Sequence, residues 1–289
     1  MGDPLNNKLA RLREDLRGRG SLAVAFSGGV DSAFLLKVAH DVLDQRVMAV
    51  TARSPSIAAR ELREAERLAC ELGVRHLVID TDEFRLSGYI DNPVDRCYIC
   101  KREHFTKISA VASEYGLHVV ADGSNVDDRG DYRPGARALR ELGIVCPLIE
   151  AGLKKHEIRR LSKEMGLSVW DKPALACLAS RIPYGQKITR EKIASIDRAE
   201  TYLRDLGFRQ VRVRHHGDIA RIEVAAEDRR RFFETVPLDE VDGELKKCGF
   251  SYVALDLRGY RTGSLNEIAV SSSRGPGCSP TATERLPGG

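Results

Sequence analysis

The sequence predicts an α/β fold: a mainly parallel sheet with helices between its strands, followed by a smaller α+β domain. Helical patterns separate a series of short apolar runs, which is typical of βαβ units and therefore of a parallel sheet. Beyond residue 185 the order of elements changes to helix, hairpin, helix and strand. The predicted strands of the first part lie at residues 22–26, 47–51, 76–80, 118–121 and 144–148.

An N-terminal helix is predicted over residues 1–20, ahead of a main domain over residues 21–175. Within that domain, residues 57–72 show a helical pattern that ends at Gly73, because glycine readily adopts the left-handed backbone of a helix C-terminus. A break in the pattern over residues 171–185 marks the connection to the second domain. The apolar face of the N-terminal helix consists of Leu5, Leu9, Leu12 and Leu16.

The second domain is predicted over residues 186–270. A helix over residues 190–206 begins after Thr189, whose hydroxyl suits an N-cap. Alternating polar and apolar residues on both sides of Gly217 predict an antiparallel hairpin. Its strands are predicted at residues 209–214 and 219–225, followed by a helical stretch through Phe232, Phe233 and Leu245 and a strand at residues 252–257.

Length and composition narrow the class of protein. The 289 residues suffice for one large domain or two unequal ones. The net charge of +4 is small and no long run of like charges occurs, so nucleic acid is not an expected partner. No stretch has the length of a signal peptide or a membrane span, which predicts a cytoplasmic protein without a membrane partner. Residues 271–289, rich in Ser, Pro, Gly and Thr, are expected to form a disordered tail.

The loop at residues 27–32 reads Ser-Gly-Gly-Val-Asp-Ser and joins an apolar strand to a helical pattern. Such a loop directs backbone N–H groups and a helix N-terminus at an anion, and its glycines let the main chain approach phosphate closely. Asp31 can hold a magnesium ion. Because no Gly-Lys-Ser/Thr follows, the loop is not a Walker A motif. It resembles instead the pyrophosphate loop of ATP pyrophosphatases, which cleave ATP between the α and β phosphates.

A second polar segment, residues 122–128, directly follows a predicted strand and reads Asp-Gly-Ser-Asn-Val-Asp-Asp. The carboxyl ends of parallel strands are where ligands bind, so its carboxylates, Asp128 among them, suit a magnesium ion or a substrate. The alternative is an Asx-rich loop that caps the next helix. The residues predicted to bind ATP are Ser27, Gly28, Gly29, Asp31, Ser32, Thr51, Gly123 and Asp127, with Asp31 and Asp128 as magnesium ligands.

Seven cysteines in a reducing compartment argue against a disulfide framework. Cys97 and Cys100 have the spacing of a metal-binding pair, and Cys177 lies in the predicted interdomain loop. Zinc usually takes a fourth ligand, whereas a [4Fe–4S] cluster on three thiolates keeps one iron open, which suits sulfur chemistry. The alternative for the pair is two buried apolar thiols. The other cysteines are interpreted as core, surface or tail residues: Cys70, Cys146, Cys248 and Cys278.

Basic residues accompany these segments. Lys101 and Arg181 are predicted to stabilise charge on the α-phosphate of ATP. On the hairpin, the two-residue period places Arg212 and Arg214 on one face. With Arg221 and Glu223 of the neighbouring strand, they form either a site for a phosphate-bearing substrate or a solvent face of ion pairs. The predicted substrate-binding residues are Ser180, Arg212, Arg214 and Glu223.

Five segments together resemble the ATP-dependent sulfur transferases that build the nickel-pincer nucleotide of lactate racemase, within the PP-loop ATP pyrophosphatases. The resemblance covers roughly residues 8–270. Its segments are residues 27–32, Asp-Arg-Cys at 95–97, Asp-Gly-Ser-Asn at 122–125, Ala-Cys-Leu-Ala-Ser-Arg-Ile-Pro at 176–183 and Leu-Arg-Gly-Tyr-Arg-Thr-Gly-Ser-Leu-Asn-Glu at 257–267.

The resemblance implies a Rossmann-like fold and a two-step reaction. ATP adenylates a carboxylate of pyridinium-3,5-biscarboxylic acid mononucleotide, and sulfur then displaces AMP to leave a thiocarboxylate. In some members the cysteine matching Cys177 gives up its own sulfur and becomes dehydroalanine. In members with three cysteines matching Cys97, Cys100 and Cys177, a [4Fe–4S] cluster carries the sulfur, and this chain has all three. The resemblance also implies a homo-oligomer.

Three other functions are compatible with parts of this pattern. A tRNA-thiolating enzyme combines the same phosphate loop with cysteines, but it would need an RNA-binding surface. An ammonia-dependent ligase would have no use for the cysteines. A nucleotide-binding sensor would catalyse nothing, and its site carboxylates would be structural. Release of pyrophosphate that depends on the pyridinium mononucleotide separates all three from the sulfur transferase.

Overall fold

The computed structural model describes residues 3–130 and 134–261. The expected tail at residues 271–289 and the last part of the segment at 257–267 lie outside the described residues. The main part contains strands β1 (Leu22–Ala25), β2 (Val47–Arg53), β3 (Arg75–Asp80) and β4 (Val120–Ala121). Its helices are α1 (Pro4–Arg19), α2 (Val30–Leu43), α3 (Ala59–Glu71), α4 (Arg96–Glu114), α5 (Gly135–Glu141), α6 (Pro147–Glu150) and α7 (Lys155–Glu164).

The four strands form a parallel sheet in the order β3-β2-β1-β4. Successive residues of the central strands enter different cores: Leu22 and Val24 pack on one side with α1, α2 and α3, whereas Ala23 packs on the other side with Phe105 and Ile108 of α4. Side chains alternate between the faces of a strand, so this sheet is buried on both faces, as an α/β fold requires. The predicted fold class is confirmed.

Helix α1 has the predicted position and burial. Asp3 accepts a hydrogen bond from the backbone N–H of Leu5 at 3.0 Å, and Pro4 occupies the first turn, where its missing N–H is not needed. The four predicted leucines are all buried in the main core. Among the described residues, no helix is long and apolar enough to cross a membrane.

The prediction of a strand at residues 144–148 is wrong. Only Val145 pairs with the sheet, in a single parallel bridge to Ala121, and α6 begins at Pro147. Proline lacks a backbone N–H and its fixed φ suits the first turn of a helix, so the ladder ends where this residue enters.

The second part contains α8 (Arg190–Asp205), β5 (Val211–His216), β6 (Ile219–Val224), α9 (Asp228–Thr235), α10 (Leu238–Lys247) and β7 (Tyr252–Leu255). Thr189 caps α8 as predicted, accepting from the N–H of Lys192 at 3.2 Å. Strands β5 and β6 form the predicted antiparallel hairpin, and β7 adds in parallel to β6. The helical stretch predicted through Phe232 and Leu245 is two helices, because Pro237 separates them.

The connection between the two parts packs as a small core of its own. Leu178, Ala179 and Ile182 bury against Ile193 and Ile196 of α8, together with Ala58, Tyr89 and Ile188. Cys177 and Cys100 border this cluster. The segment before α8 is therefore a packed element that fixes the position of Cys177.

Candidate active site

A cleft of about 500 Å³ opens at the carboxyl ends of β1 and β2. Parallel α/β sheets bind ligands at this edge, and the cleft has the size of a small-molecule site. Residues from the phosphate loop, the aspartate segment and all three predicted cysteines line it, so distant parts of the chain meet there. The predicted site residues on its wall are Ser27, Gly29, Asp31, Ser32, Thr51, Cys97, Cys100, Lys101, Gly123, Asp128 and Cys177.

The phosphate loop is shaped by glycine. Gly28 has a φ of +68°, and a Cβ there would lie 3.0 Å from the Cα of Ala65. Another residue type would be strained by the backbone conformation and would also collide with α3. The hydroxyl of Ser32 donates to the Gly29 carbonyl at 3.1 Å and lies 3.1 Å from the Ser27 hydroxyl. The loop thereby places the N-terminus of α2 against the cleft, where an anion is favoured.

The aspartate segment touches the phosphate loop through Gly123. A Cβ on Gly123 would lie 3.0 Å from the backbone nitrogen of Ser32. The neighbouring Asp122 accepts from the Ser124 N–H at 2.8 Å and from Lys101 Nζ at 3.2 Å. Burial raises the pKa of Asp122, but the Lys101 charge and the Ser124 hydrogen bonds outweigh burial and lower it. Asp122 is therefore an ionised group that positions Lys101 in the cleft.

Asp31 has an oxygen available for a cation. Its Oδ2 accepts from Lys155 Nζ, whereas its buried Oδ1 has no hydrogen-bond partner. Burial raises the pKa of this carboxyl, against the opposing charge of Lys155. A buried carboxylate oxygen without a partner is costly, and a magnesium ion would satisfy it. Lys155 was missed in the sequence because it lies 124 residues away, at the start of α7.

The predicted ATP ligands Thr51 and Asp127 have structural partners. Thr51 lines the cleft, and its hydroxyl donates to the Phe26 carbonyl at 2.6 Å. Asp127 lies outside the cleft lining and accepts from the backbone N–H of Lys155 at 2.7 Å. Asp127 thus supports the start of α7. The alternative for this segment was a loop that caps the next helix, but the helix it supports is not the next one along the chain. Its role in ATP binding stays a prediction.

The three predicted cysteines line the same cleft, and each is partly exposed. Cys97 lies in the first turn of α4 and Cys100 in the second, and Cys177 immediately precedes a short 3₁₀ turn, Leu178–Arg181. Burial raises the pKa of Cys97, and so does the charge of a Cys177 thiolate. Burial raises the pKa of Cys100 still more, helped by Glu83, Cys177 and Cys97. Three thiols that line one cleft, two of which ionise less readily without a nearby cation, suit a cationic metal centre such as an iron–sulfur cluster.

Arg181 does not line the cleft but holds the loop around Cys177 (the cysteine loop, residues 174–180) from its buried side. Its side chain is fully buried, and it donates to the carbonyls of Ala176 and Cys177 at 2.6 and 2.9 Å. Its remaining nitrogens form a two-point ion pair with Glu200 of α8 at 2.7 and 2.9 Å. Lys101 lines the cleft, but Arg181 does not. Contact of Arg181 with the α-phosphate stays a prediction, since the structure gives its charge another partner.

Arg212 and Arg214 of the hairpin are buried, whereas Arg221 is partly exposed and pairs with Glu223 at 3.0 Å. Arg214 pairs with Glu223 at 2.8 Å and donates to the Ser180 carbonyl at 2.8 Å. Arg212 donates to the Ala174 carbonyl at 2.6 Å. Arg212 is 4% exposed, Arg214 7% and Glu223 0%, so these three residues do not form a solvent face. The two arginines hold the segment on both sides of Cys177, through the carbonyls of Ala174 and Ser180.

Several residues of the site gave no signal in the sequence. Lys172 Nζ donates to the Gly28 carbonyl at 3.0 Å and pairs with Glu64 at 2.9 Å. Glu83 and His104 line the cleft beside Cys100. None of them lies in a recognisable motif, and only the folded chain brings them to the phosphate loop and the cysteines.

The parallel sheet, the glycine-shaped anion loop and the thiols in the same cleft define an ATP-dependent, sulfur-transferring enzyme of the PP-loop class. Residues 10–112 match the asparagine synthase family. An uncharacterized protein from Synechocystis is 44% identical over 91% of this chain and 98% of its own. The pyridinium-3,5-bisthiocarboxylic acid mononucleotide synthase of Lactiplantibacillus plantarum is 40% identical over 93% of this chain and 97% of its own. The chain belongs to the family of that synthase.

The similarity to tRNA-thiolating enzymes is narrower. A tRNA-specific 2-thiouridylase from Rickettsia felis is 28% identical over 54% of this chain and 52% of its own.

Proposed function

We propose that this enzyme activates a carboxylate of pyridinium-3,5-biscarboxylic acid mononucleotide with ATP and replaces a carboxylate oxygen by sulfur. The observation that carries the proposal is that the phosphate loop and three cysteines line one cleft. The name of the relative from Lactiplantibacillus plantarum supports the choice of substrate. Two cycles, one for each carboxylate, give the bisthiocarboxylic acid.

In the first step, a substrate carboxylate oxygen attacks the α-phosphorus of ATP, and the bond to pyrophosphate breaks. Backbone N–H groups of the phosphate loop bind the phosphates. Asp31, through its unpartnered Oδ1, and Asp128 are the proposed magnesium ligands. Lys101 supplies positive charge on the same wall of the cleft, where it offsets the charge that develops on the phosphate oxygens. The product is an acyl adenylate, a far better electrophile than the carboxylate.

In the second step, a sulfur nucleophile attacks the acyl carbon and AMP leaves. A [4Fe–4S] cluster on Cys97, Cys100 and Cys177 would supply a transferable sulfur at its open iron. The Cys97 and Cys100 thiols suit this group, because burial and the charge of neighbouring thiolates raise their pKa, and a bound cation would favour their ionised forms. Cys177, in the loop before α8, lines the cleft with Cys97 and Cys100 of α4, and Arg181 holds that loop in place.

A second route is sacrificial sulfur donation from Cys177 alone. Its thiolate attacks the acyl carbon and AMP leaves, which gives a thioester. Loss of the Cα proton and cleavage of the Cβ–S bond then leave a thiocarboxylate on the substrate and dehydroalanine in the chain. Cys177 lies on the cleft wall without a disulfide partner, which keeps this route open. It leaves Cys97 and Cys100 without a chemical role, so the cluster route accounts for more of the site.

The phosphate of the mononucleotide is proposed to bind near Ser180, Arg212, Arg214 and Glu223. Arg212 lines a smaller cleft of about 280 Å³ that shares residues 173–175 with the main one. Burial, together with the positive charge of Arg181, lowers the pKa of Arg212 to about 10. The Arg212 guanidinium donates to the carbonyls of Val211 and Ala174, and a buried cation held by neutral groups favours a bound anion, which is the support for this assignment.

We further propose that the enzyme acts in the cytoplasm as a homo-oligomer on a small molecule and not on nucleic acid. The six described cysteines are free thiols, in keeping with a reducing compartment.

The test of the reaction is pyrophosphate release by the purified enzyme with ATP and magnesium. Release that requires the pyridinium mononucleotide and is not elicited by tRNA or ammonia supports the proposal. The Asp31→Asn variant should release pyrophosphate at least about a hundredfold more slowly, because the magnesium site is lost. Release without any substrate, or only with tRNA, would contradict the proposed function.

The two sulfur routes differ in iron content and in mass. Protein purified without oxygen should contain about four iron atoms per chain if the cluster forms. The Cys97→Ser and Cys100→Ser variants should lose this iron, whereas the matched Cys70→Ser variant, with its change on the exposed face of α3, should keep it. Iron-free wild-type protein whose Cys177 loses hydrogen sulfide after one turnover would establish the sacrificial route instead.

A further inference from the structure

Three potential metal ligands converge beside the proposed cluster site. Glu83 lies in a 3₁₀ turn after β3, and Cys100 and His104 lie one turn apart on α4. Because Cys100 and His104 are four residues apart, their side chains lie on one face of α4. The 3₁₀ turn brings the Glu83 carboxylate to that face. Glu83 is only 1% exposed, and its Oε2 has no hydrogen-bond partner.

The distances among these ligand atoms are a few tenths of an ångström longer than the edges of a coordination tetrahedron. His104 Nε2 lies 3.5 Å from Glu83 Oε1 and 3.6 Å from Cys100 Sγ, and this sulfur lies 3.8 Å from the same carboxylate oxygen. Zinc bonds of ~2.3 Å to sulfur and ~2.0 Å to nitrogen or oxygen require edges of roughly 3.5 Å to sulfur and roughly 3.3 Å between nitrogen and oxygen. A shift of a few tenths of an ångström would bring all three atoms onto one ion.

We propose that Glu83, Cys100 and His104 form a site for a single zinc-type divalent ion. Carboxylate, imidazole and one thiolate are ligands that such ions accept together. All three residues line the cleft, which can supply water or a substrate group as the fourth ligand. The hydroxyl of Thr81, which lies 3.2 Å from His104 Nε2, must give up that contact when the ion binds.

Because Cys100 belongs to both donor sets, this ion and the three-cysteine cluster exclude one another. This consequence rests on the proposed function, whereas the existence of the zinc-type site does not. Zinc in this site would withhold Cys100 from iron, and the enzyme could then activate its substrate without transferring sulfur through a cluster. The structure thus assigns a second metal specificity to the same cleft, with Cys100 as the shared ligand.

The test uses the full-length chain carrying Cys97→Ala and Cys177→Ala, which removes two cluster ligands but leaves the proposed site intact. Titrated with Co²⁺ as a spectroscopic substitute for zinc, it should bind about one ion per chain with the visible absorption of tetrahedral cobalt. The sulfur-to-cobalt charge-transfer band should have the intensity of one thiolate. Adding Glu83→Gln or His104→Ala should weaken binding more than about tenfold, and Cys100→Ser should remove the charge-transfer band.

Two outcomes would overturn the site: no cobalt binding by the double variant, or binding that Glu83→Gln and His104→Ala leave unchanged. Should a variant fail to fold, X-ray absorption of zinc-loaded wild-type protein decides, since one sulfur and two or more nitrogen or oxygen neighbours are expected. Three sulfur neighbours would contradict the proposal. Competition is tested by iron–sulfur reconstitution of wild-type protein preloaded with zinc: the cluster should fail to form, and unimpeded assembly would overturn mutual exclusion.

Discussion

Arg181 is a buried cation that joins the cysteine loop to α8. It binds two carbonyls of the loop and both carboxylate oxygens of Glu200, and neither charged side chain has any exposed surface. The sequence suggested a role for Arg181 at a phosphate because it lies near Cys177. Only the fold shows that a partner 19 residues away takes up its charge.

Removing that partner should destabilise the protein strongly. Glu200→Gln is expected to lower the free energy of unfolding by about 3–5 kcal/mol, because Arg181 is left charged and buried. Urea unfolding measures the loss. Glu114→Gln, at the exposed end of α4, is the matched control and should change stability by less than about 0.5 kcal/mol. Equal stability of the two variants would show that the ion pair has no structural role.

Glu200 should also make the free energy of unfolding depend on pH. Burial raises the pKa of Glu200, but Arg181 and its neighbours outweigh burial and lower it to about 2. The folded value lies below the unfolded value of about 4.3, so the stabilisation is complete above that pH and is lost as pH falls toward 2. Wild-type protein should therefore lose more stability than Glu200→Gln over this range, and parallel curves would contradict the assignment.

Arg181→Lys separates the structural role from the predicted contact with ATP. Lysine keeps the charge but not the two-point geometry of the guanidinium. We expect lower stability with little change in the KM for ATP. A slower pyrophosphate release at unchanged stability would instead support contact with the α-phosphate.

At the level of elements, the close contact between the Gly123 loop and the start of α2 holds the phosphate site together. A Cβ on Gly123 would press on the Ser32 backbone at 3.0 and 3.1 Å, and a helix terminus cannot yield as a flexible side chain does. Gly123→Ala is expected to cost about 1–3 kcal/mol of stability and to raise the KM for ATP.

The control for this substitution is Gly243→Ala in α10, where an added Cβ meets nothing within 4 Å. This change should stabilise the protein by up to about 1 kcal/mol, because alanine favours a helix. Thermal unfolding and ATP kinetics of both variants check the prediction, which fails if they behave alike.

Elements were predictable from local pattern to different degrees. Helix α8 and the hairpin after it follow from an N-cap threonine and strict alternation, and both occur where expected. The apolar run at residues 144–148 also has the pattern of a strand, but a helix, α6, begins within it at Pro147. A short apolar run is compatible with either a strand or a buried turn. Only its pairing with β4 in the folded chain decides between the two.

Across the whole molecule, the second part contributes Arg212 and Arg214 to the support of the cysteine loop. If Arg212 also binds the phosphate of the mononucleotide, Arg212→Met should raise the KM for that substrate by roughly tenfold to a hundredfold. The KM for ATP should change little. Arg230→Met is the control, since Arg230 lies on the exposed face of α9, pairs with Glu234 at 2.6 Å and lines neither cleft. Lower stability with an unchanged KM for the mononucleotide would limit Arg212 to anchoring the loop.

The sequence by itself determined the α/β fold, the phosphate loop and the cysteines, because each depends on local order: a strand, a turn and a helix in succession, or thiols at a fixed spacing. The tertiary structure decided which charged groups face the cleft. Lys101 faces it, whereas Arg181, Arg214 and Glu223 are buried beneath the cysteine loop, and Glu83 and His104 join Cys100. The physical reason is that the partner of a buried charge is set by packing between distant segments, which local sequence does not encode.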